Sequence, residues 1–134
     1  MATKRLVVRG GVAALVLVAL FAWARSAASQ TDDQDVLKVI PENYTLIIDN
    51  PFVRVLEARI PAGTEEKPHR HLKGVSVCLT EYTLESRTFD NGQWGPWSRN
   101  SRKVGVTYWS DASLHQVRNV GTTQSHTIRI ELKH

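Results

Sequence analysis

Apolar and polar residues alternate along the second half of the chain. Ile128, Ile130 and Leu132 alternate with Arg129, Glu131 and Lys133, the period of a strand with one buried and one wetted face. On that reading the aliphatic side is the core side. The same period runs through Val75, Val77 and Leu79, and through Val104, Val106 and Tyr108. Between Phe52 and Ile60 the phase shifts, because Val53 and Val55 are followed by Leu56, Ala58 and Ile60; a bulge near Leu56 is predicted. Asp90-Asn91-Gly92 supplies the positive φ angles of a tight hairpin turn. Gly63 opens another turn, and Pro68 holds Lys67 extended. No stretch after Ala28 keeps a helical period for three turns. About six to eight short strands joined by Pro, Gly, Asn and Asp turns predict an all-β, antiparallel sandwich or barrel with almost no helix.

The first residues follow a different rule. Lys4, Arg5 and Arg9 precede an uncharged apolar run from Gly10 to Ala24, and the small residues Ser26, Ala27, Ala28 and Ser29 follow. That order is a secretory signal peptide, with cleavage expected near Ala28. The run is shorter than the roughly 20 apolar residues that span a bilayer; an uncleaved anchor to the inner membrane through residues 10–24 is the alternative. The body is thus expected in the periplasm or outside the cell, its membrane contact transient and confined to the signal segment. Residues 1–28 read as signal peptide or anchor, 29–43 as a polar linker and 44–134 as the barrel.

Composition narrows the partners. The chain of 134 residues is 42% apolar and 22% charged, an ordinary globular composition. Its net charge of +4 sits in the leader, which holds Lys4, Arg5, Arg9 and Arg25 and no acid. Without those four, 13 basic residues face 13 acidic ones. A balanced body has no electrostatic footprint for a phosphate backbone, so nucleic acid is disfavoured and none is expected as a partner. Cys78 is the one cysteine; it cannot form an internal bridge and is expected in the core or an interface.

His69-Arg70-His71 places two imidazoles on one face of an extended segment, because residues i and i+2 of a strand point the same way. Two neutral imidazoles so spaced form a pair of candidate metal ligands. A polar pair without metal is the plainer reading of that spacing alone. Trp94, Trp97, Tyr108 and Trp109 cluster around the central turns. Hairpin packing explains most of them, and Trp109 is the aromatic candidate for a ligand pocket. His126 and His134 are expected at the surface.

Gly63, five residues, His69, one residue and His71 reproduce the start of the first cupin motif, and His115 with Asn119 fits the end of the second. The chain from Tyr44 to Leu132 therefore resembles the cupin superfamily. The resemblance implies an antiparallel jelly-roll barrel whose mouth takes a small-molecule ligand. It implies that His69, His71 and His115 hold one divalent transition metal, Fe, Zn, Ni or Cu, and that Asn119 orders a turn. It also implies a homodimer. Two positions depart from the pattern: Val75 and Ser76 stand where the motif has its glutamate ligand, and Tyr82 and Thr83 where it has glycine. Ser76 is accordingly a candidate pocket residue beside Trp109. The departure favours an exported small-molecule-binding or accessory module; a metal-dependent dioxygenase, isomerase or lyase is the alternative.

Overall fold

A computed structural model describes residues 33–134. The leader, its cleavage site and the first residues of the expected linker lie outside the described residues. Strands β1 (Tyr44–Asp49), β2 (Val53–Ile60), β4 (Gly74–Cys78), β8 (Thr107–Ser110) and β10 (Ser125–Leu132) form one sheet in the order β1-β2-β10-β4-β8. Strands β3 (His69–His71), β9 (Ser113–Asn119) and β5 (Tyr82–Asp90) form the second, with β6 (Gln93–Trp94) and β7 (Ser98–Arg102) both pairing β5. Every strand pair is antiparallel. The expected jelly-roll barrel is the fold observed. The predicted turns are present: φ is positive at Asn91, Gly92 and Gly63.

The polarity of the strands is reversed from the expectation. On β10 the buried positions are Ser125, Thr127, Arg129 and Glu131, while Ile128, Ile130 and Leu132 lie half-buried on the outer face. On β4 the buried side chains are Ser76 and Cys78, and Val75 and Val77 face outward. Val104 and Val106 are exposed and fall in the turn before β8. The barrel interior is thus lined by polar as well as apolar groups, and one apolar cluster gathers Val36, Ile40, Tyr44, Leu56 and Ala58.

That cluster includes residues assigned to the polar linker, which is a correction. Residues 33–43 belong to the barrel: the single-turn helix α1 (Val36–Val39) is capped by Asp35, whose carboxylate accepts from Leu37 N at 3.0 Å. Val36 and Ile40, 0% and 2% exposed, pack with Tyr44, Leu56 and Ala58. Arg70 N donates to Gln34 O at 2.6 Å, which ties this segment to β3 beside the histidines. The bulge near Leu56 is also corrected. It lies on β1, where Leu46 and Ile48 oppose Leu56 and Val55 with Ile47 between them. Strand β2 itself pairs β10 without interruption, and its inward positions are Arg54, Leu56, Ala58 and Ile60. Gly74 lets β4 lie close against β10, since a Cβ there would stand 2.0 Å from Ile130 O.

Candidate metal centre

Register brings the three histidines together. His69 and His71 point inward from β3 by strand alternation, and His69 is paired with His115 across the β3–β9 ladder. Their ligand atoms lie within 4.8 Å of one another. His69 and His71 are buried and His115 is half-buried. The Nε2 atoms of His69 and His115 are 2.9 Å apart, and the three rings meet edge to face at centroid distances of 4.6–5.2 Å.

Each ring of the β3 pair is oriented by a partner behind it. His69 Nδ1–H donates to Lys67 O at 2.8 Å, which leaves Nε2 facing the cluster. His71 Nδ1–H donates to Glu131 Oε1 at 2.5 Å. A carboxylate or carbonyl on the far nitrogen is the usual second support of a metal-binding imidazole, fixing its tautomer and raising its basicity. Burial holds all three histidines below the ordinary imidazole value, and Arg129 adds to the shift in each. The rings are therefore neutral at pH 7, the state that ligates. The residues present fit Zn, Fe, Ni or Cu by donor type.

Glu131 anchors more than His71. It is 0% exposed and accepts from Arg129 Nε at 2.9 Å and from Arg54 Nε, which stands directly across the β2–β10 ladder. Arg54 also pairs with Asp35 at 2.7 Å. Two arginines are thus balanced by two carboxylates beneath the histidines. A further buried acid, Glu66, lies 3.8 Å from His69 Nε2 and accepts from Asn43 Nδ2 at 2.8 Å and from Tyr44 O–H at 3.4 Å. Burial raises its pKa to about 7. Sequence reading missed Glu66, Glu131 and Arg129. The alternation alone assigns Glu131 and Arg129 to the solvent side of β10, and only the opposite phase of the same alternation places them inward.

His71 and His115 open onto a cavity of about 210 Å³ between the sheets, lined also by Tyr44, Tyr82, Tyr108, Ser76, Arg102 and Arg129. Ser76 is buried in its wall, where Oγ accepts from Arg129 Nη1 at 3.2 Å. Trp109 borders the cavity but is 51% exposed, alternates with the inward Tyr108 and donates its indole N–H to Asp111 at 2.9 Å. The aromatic rings that enclose the space are those of Tyr44, Tyr82 and Tyr108. Burial and Tyr108 push the Tyr82 phenol up, so it presents a neutral hydroxyl. Cys78 is buried with Sγ 3.2 Å from Tyr82 O–H. Asn119 ties a turn, donating to Ile60 O and Thr123 O at 2.9 Å each and accepting from Gly121 N. Trp94 packs edge-on against Phe89 within the β5–β6 hairpin. His126 is half-buried against Glu57, and His134 is exposed.

Among solved structures, a cupin domain from Bordetella pertussis is 31% identical to this chain, with a TM-score of 0.58 over 68% of this chain and 92% of that one. A cupin-family protein from Methanocaldococcus jannaschii, described as a double-stranded β-helix, is 10% identical at a TM-score of 0.49 over 66% and 79%. KdgF from a Halomonas species is 12% identical at 0.47 over 68% and 77%. No protein-family model matches the chain, and no curated protein matches it at a significant level. Fold, motif residues and the Bordetella relative agree: this chain belongs to the cupin superfamily.

Proposed function

We propose that this chain is an exported, single-domain cupin that binds a small molecule at one divalent transition metal held by His69, His71 and His115. The observation that carries the reading is the cluster itself: three neutral imidazoles whose ligand atoms lie within 4.8 Å, two of them braced from behind by Lys67 O and Glu131. Such an ion, when bound, supplies a Lewis acid or an oxygen-binding centre. The residues of the chain do the rest. Glu131 keeps the His71 proton on Nδ1, and Tyr44 covers His69 and His71 with ring centroids 5.8 and 5.3 Å away. Tyr82, Tyr108 and Ser76 offer hydroxyls around the open side.

Export rests on the leader, and a homodimer on the outer face of the five-stranded sheet. There the register aligns Ile48, Val55, Ile130, Val75 and Trp109 in one row across all five strands. Ile48 and Trp109 are about half exposed. A row of that kind is a surface a second copy would cover.

One experiment tests the reading. Material purified from the periplasm should begin near Ser29 by mass spectrometry, scatter light as a dimer and carry Fe, Zn, Ni or Cu at about one equivalent by elemental analysis. His115→Ala should lose the metal and keep its far-ultraviolet dichroism. A wild-type protein that stays metal-free after incubation with each ion, or a His115→Ala variant that keeps a full equivalent, overturns the metal centre.

A further inference from the structure

The cavity beside the histidines is cationic on a side the metal reading does not use. No Asp or Glu lines it, while Arg102 and Arg129 both do. The two arginines differ in what surrounds them. Arg129 gives Nε to Glu131, Nη1 to Ser76 and Nη2 to Leu72 O, and its charge is matched by Glu131. Arg102, at the end of β7, has neither an acidic partner nor a side-chain hydrogen bond among the described residues. Its guanidinium lies 3.6 Å from the Tyr108 ring centre. Stacking on an aromatic face pins the planar group while leaving its N–H edges free.

We infer that this cavity takes a small carboxylate-bearing molecule whose carboxylate is held by Arg102 while its other end faces His71 and His115. The inference rests on the site proposed above for the ligand's orientation. The chemistry favours a carboxylate over other anions. One uncompensated guanidinium matches one negative charge, and its fork matches a planar carboxylate in bidentate fashion. A phosphate dianion is more often met by several cations or a helix N-terminus, and the cavity wall has no helix. Among the other wall groups, Ser86, Ser110 and Asn100 suit hydroxyl or carbonyl groups along a short chain.

Propionate, its neutral isostere propionamide and inorganic phosphate are the probes, titrated into the full-length chain in metal-free and Zn-loaded form and followed by nuclear magnetic resonance shift changes. Propionate should saturate the metal-free protein, and propionamide and phosphate should bind it at least tenfold more weakly. Arg102→Gln should weaken propionate at least tenfold with Zn content unchanged, and Arg102→Lys should fall between, since it keeps the charge and loses the fork. Equal binding of propionate and propionamide, tighter binding of phosphate, or an Arg102→Gln variant that binds propionate like the wild type overturns the inference. The two readings fail separately. A chain that takes up no metal yet loses propionate with Arg102→Gln refutes the metal centre alone, and a chain that holds Zn while ignoring Arg102 refutes the carboxylate alone.

Discussion

Replacing Glu131 by glutamine removes the one negative charge that Arg129 and His71 share, in a position with no access to water. The side chain keeps its shape, so the loss is electrostatic. Arg129 is left with no carboxylate, and Arg54 with Asp35 alone. An amide oxygen at Oε1 still accepts from His71 and Arg129 while the NH₂ opposes Arg54 Nε; at Oε2 it keeps Arg54 and the NH₂ opposes the other two donors. Breaking a buried ion pair from one side costs about 3–5 kcal/mol, a large part of a total stability of about 5–15 kcal/mol. At a urea m-value of about 1.5 kcal/mol/M, the unfolding midpoint of metal-free protein should drop by roughly 2–3 M. Adding Arg129→Met should restore part of that loss, because the cation left without its partner is gone, and the double-mutant cycle gives the coupling directly. Metal affinity offers a second readout: without a carboxylate on Nδ1, His71 should bind metal about 10–100-fold more weakly. A Glu131→Gln midpoint within a few tenths molar of the wild type, with unchanged metal affinity, would refute the reasoning.

Glu66 makes stability depend on pH in the opposite sense to a paired carboxylate. Its folded pKa is raised from 4.5 to about 7 by burial, so the folded state binds the extra proton between those values. Stability should then fall as pH rises through that window, by about 3 kcal/mol at ~1.36 kcal/mol per unit. In metal-free protein Glu66→Gln should remove that slope; identical urea midpoints for the two proteins at pH 8, after matching at pH 4.5, would count against it. Gly74→Ala puts a Cβ 2.0 Å from Ile130 O and 3.0 Å from the Glu131 Cα, both backbone. Nothing there can swing aside, and the variant should lose about 3 kcal/mol, the upper part of the overpacking range. An unchanged melting temperature would mean that β4 and β10 separate without cost.

Period 2 was enough to find the strands, but it does not say which face is inside. On β10 the alternation points to the aliphatic face as the core, because a simple sandwich buries its apolar side. In this barrel the interior is the site, and Arg129 and Glu131 are stable there because Arg54, His71 and Ser76 arrive from three other strands to pair with them. Those pairings are long-range and leave no local signal. His69 and His71 were legible because i and i+2 suffice to put them together. His115 became legible only through the motif resemblance, since its contact with His69 is a cross-strand one. Helix α1 was missed for a different reason: Val36 and Ile40 make a single turn, too short for a period, and the Asp35 cap was its one local mark.

The same charges bear on the wall position where the motif resemblance expects a glutamate ligand. The position is held by Val75, facing outward, and by Ser76, facing the cavity and accepting from Arg129. The carboxylate nearest that wall, Glu131, meets two arginines and a histidine, so its charge is already matched. Three neutral imidazoles add no negative charge of their own. A divalent ion in this cluster would have one acid close by, Glu66, 3.8 Å from His69 Nε2; with Glu66 protonated the ion would keep its full positive charge toward the cavity, and with Glu66 ionised one unit less. Arg102 adds a further cation on the opposite wall with no acid beside it. Both features pull in one direction: in the cavity of this barrel, an anionic ligand supplies the charge that the protein leaves out.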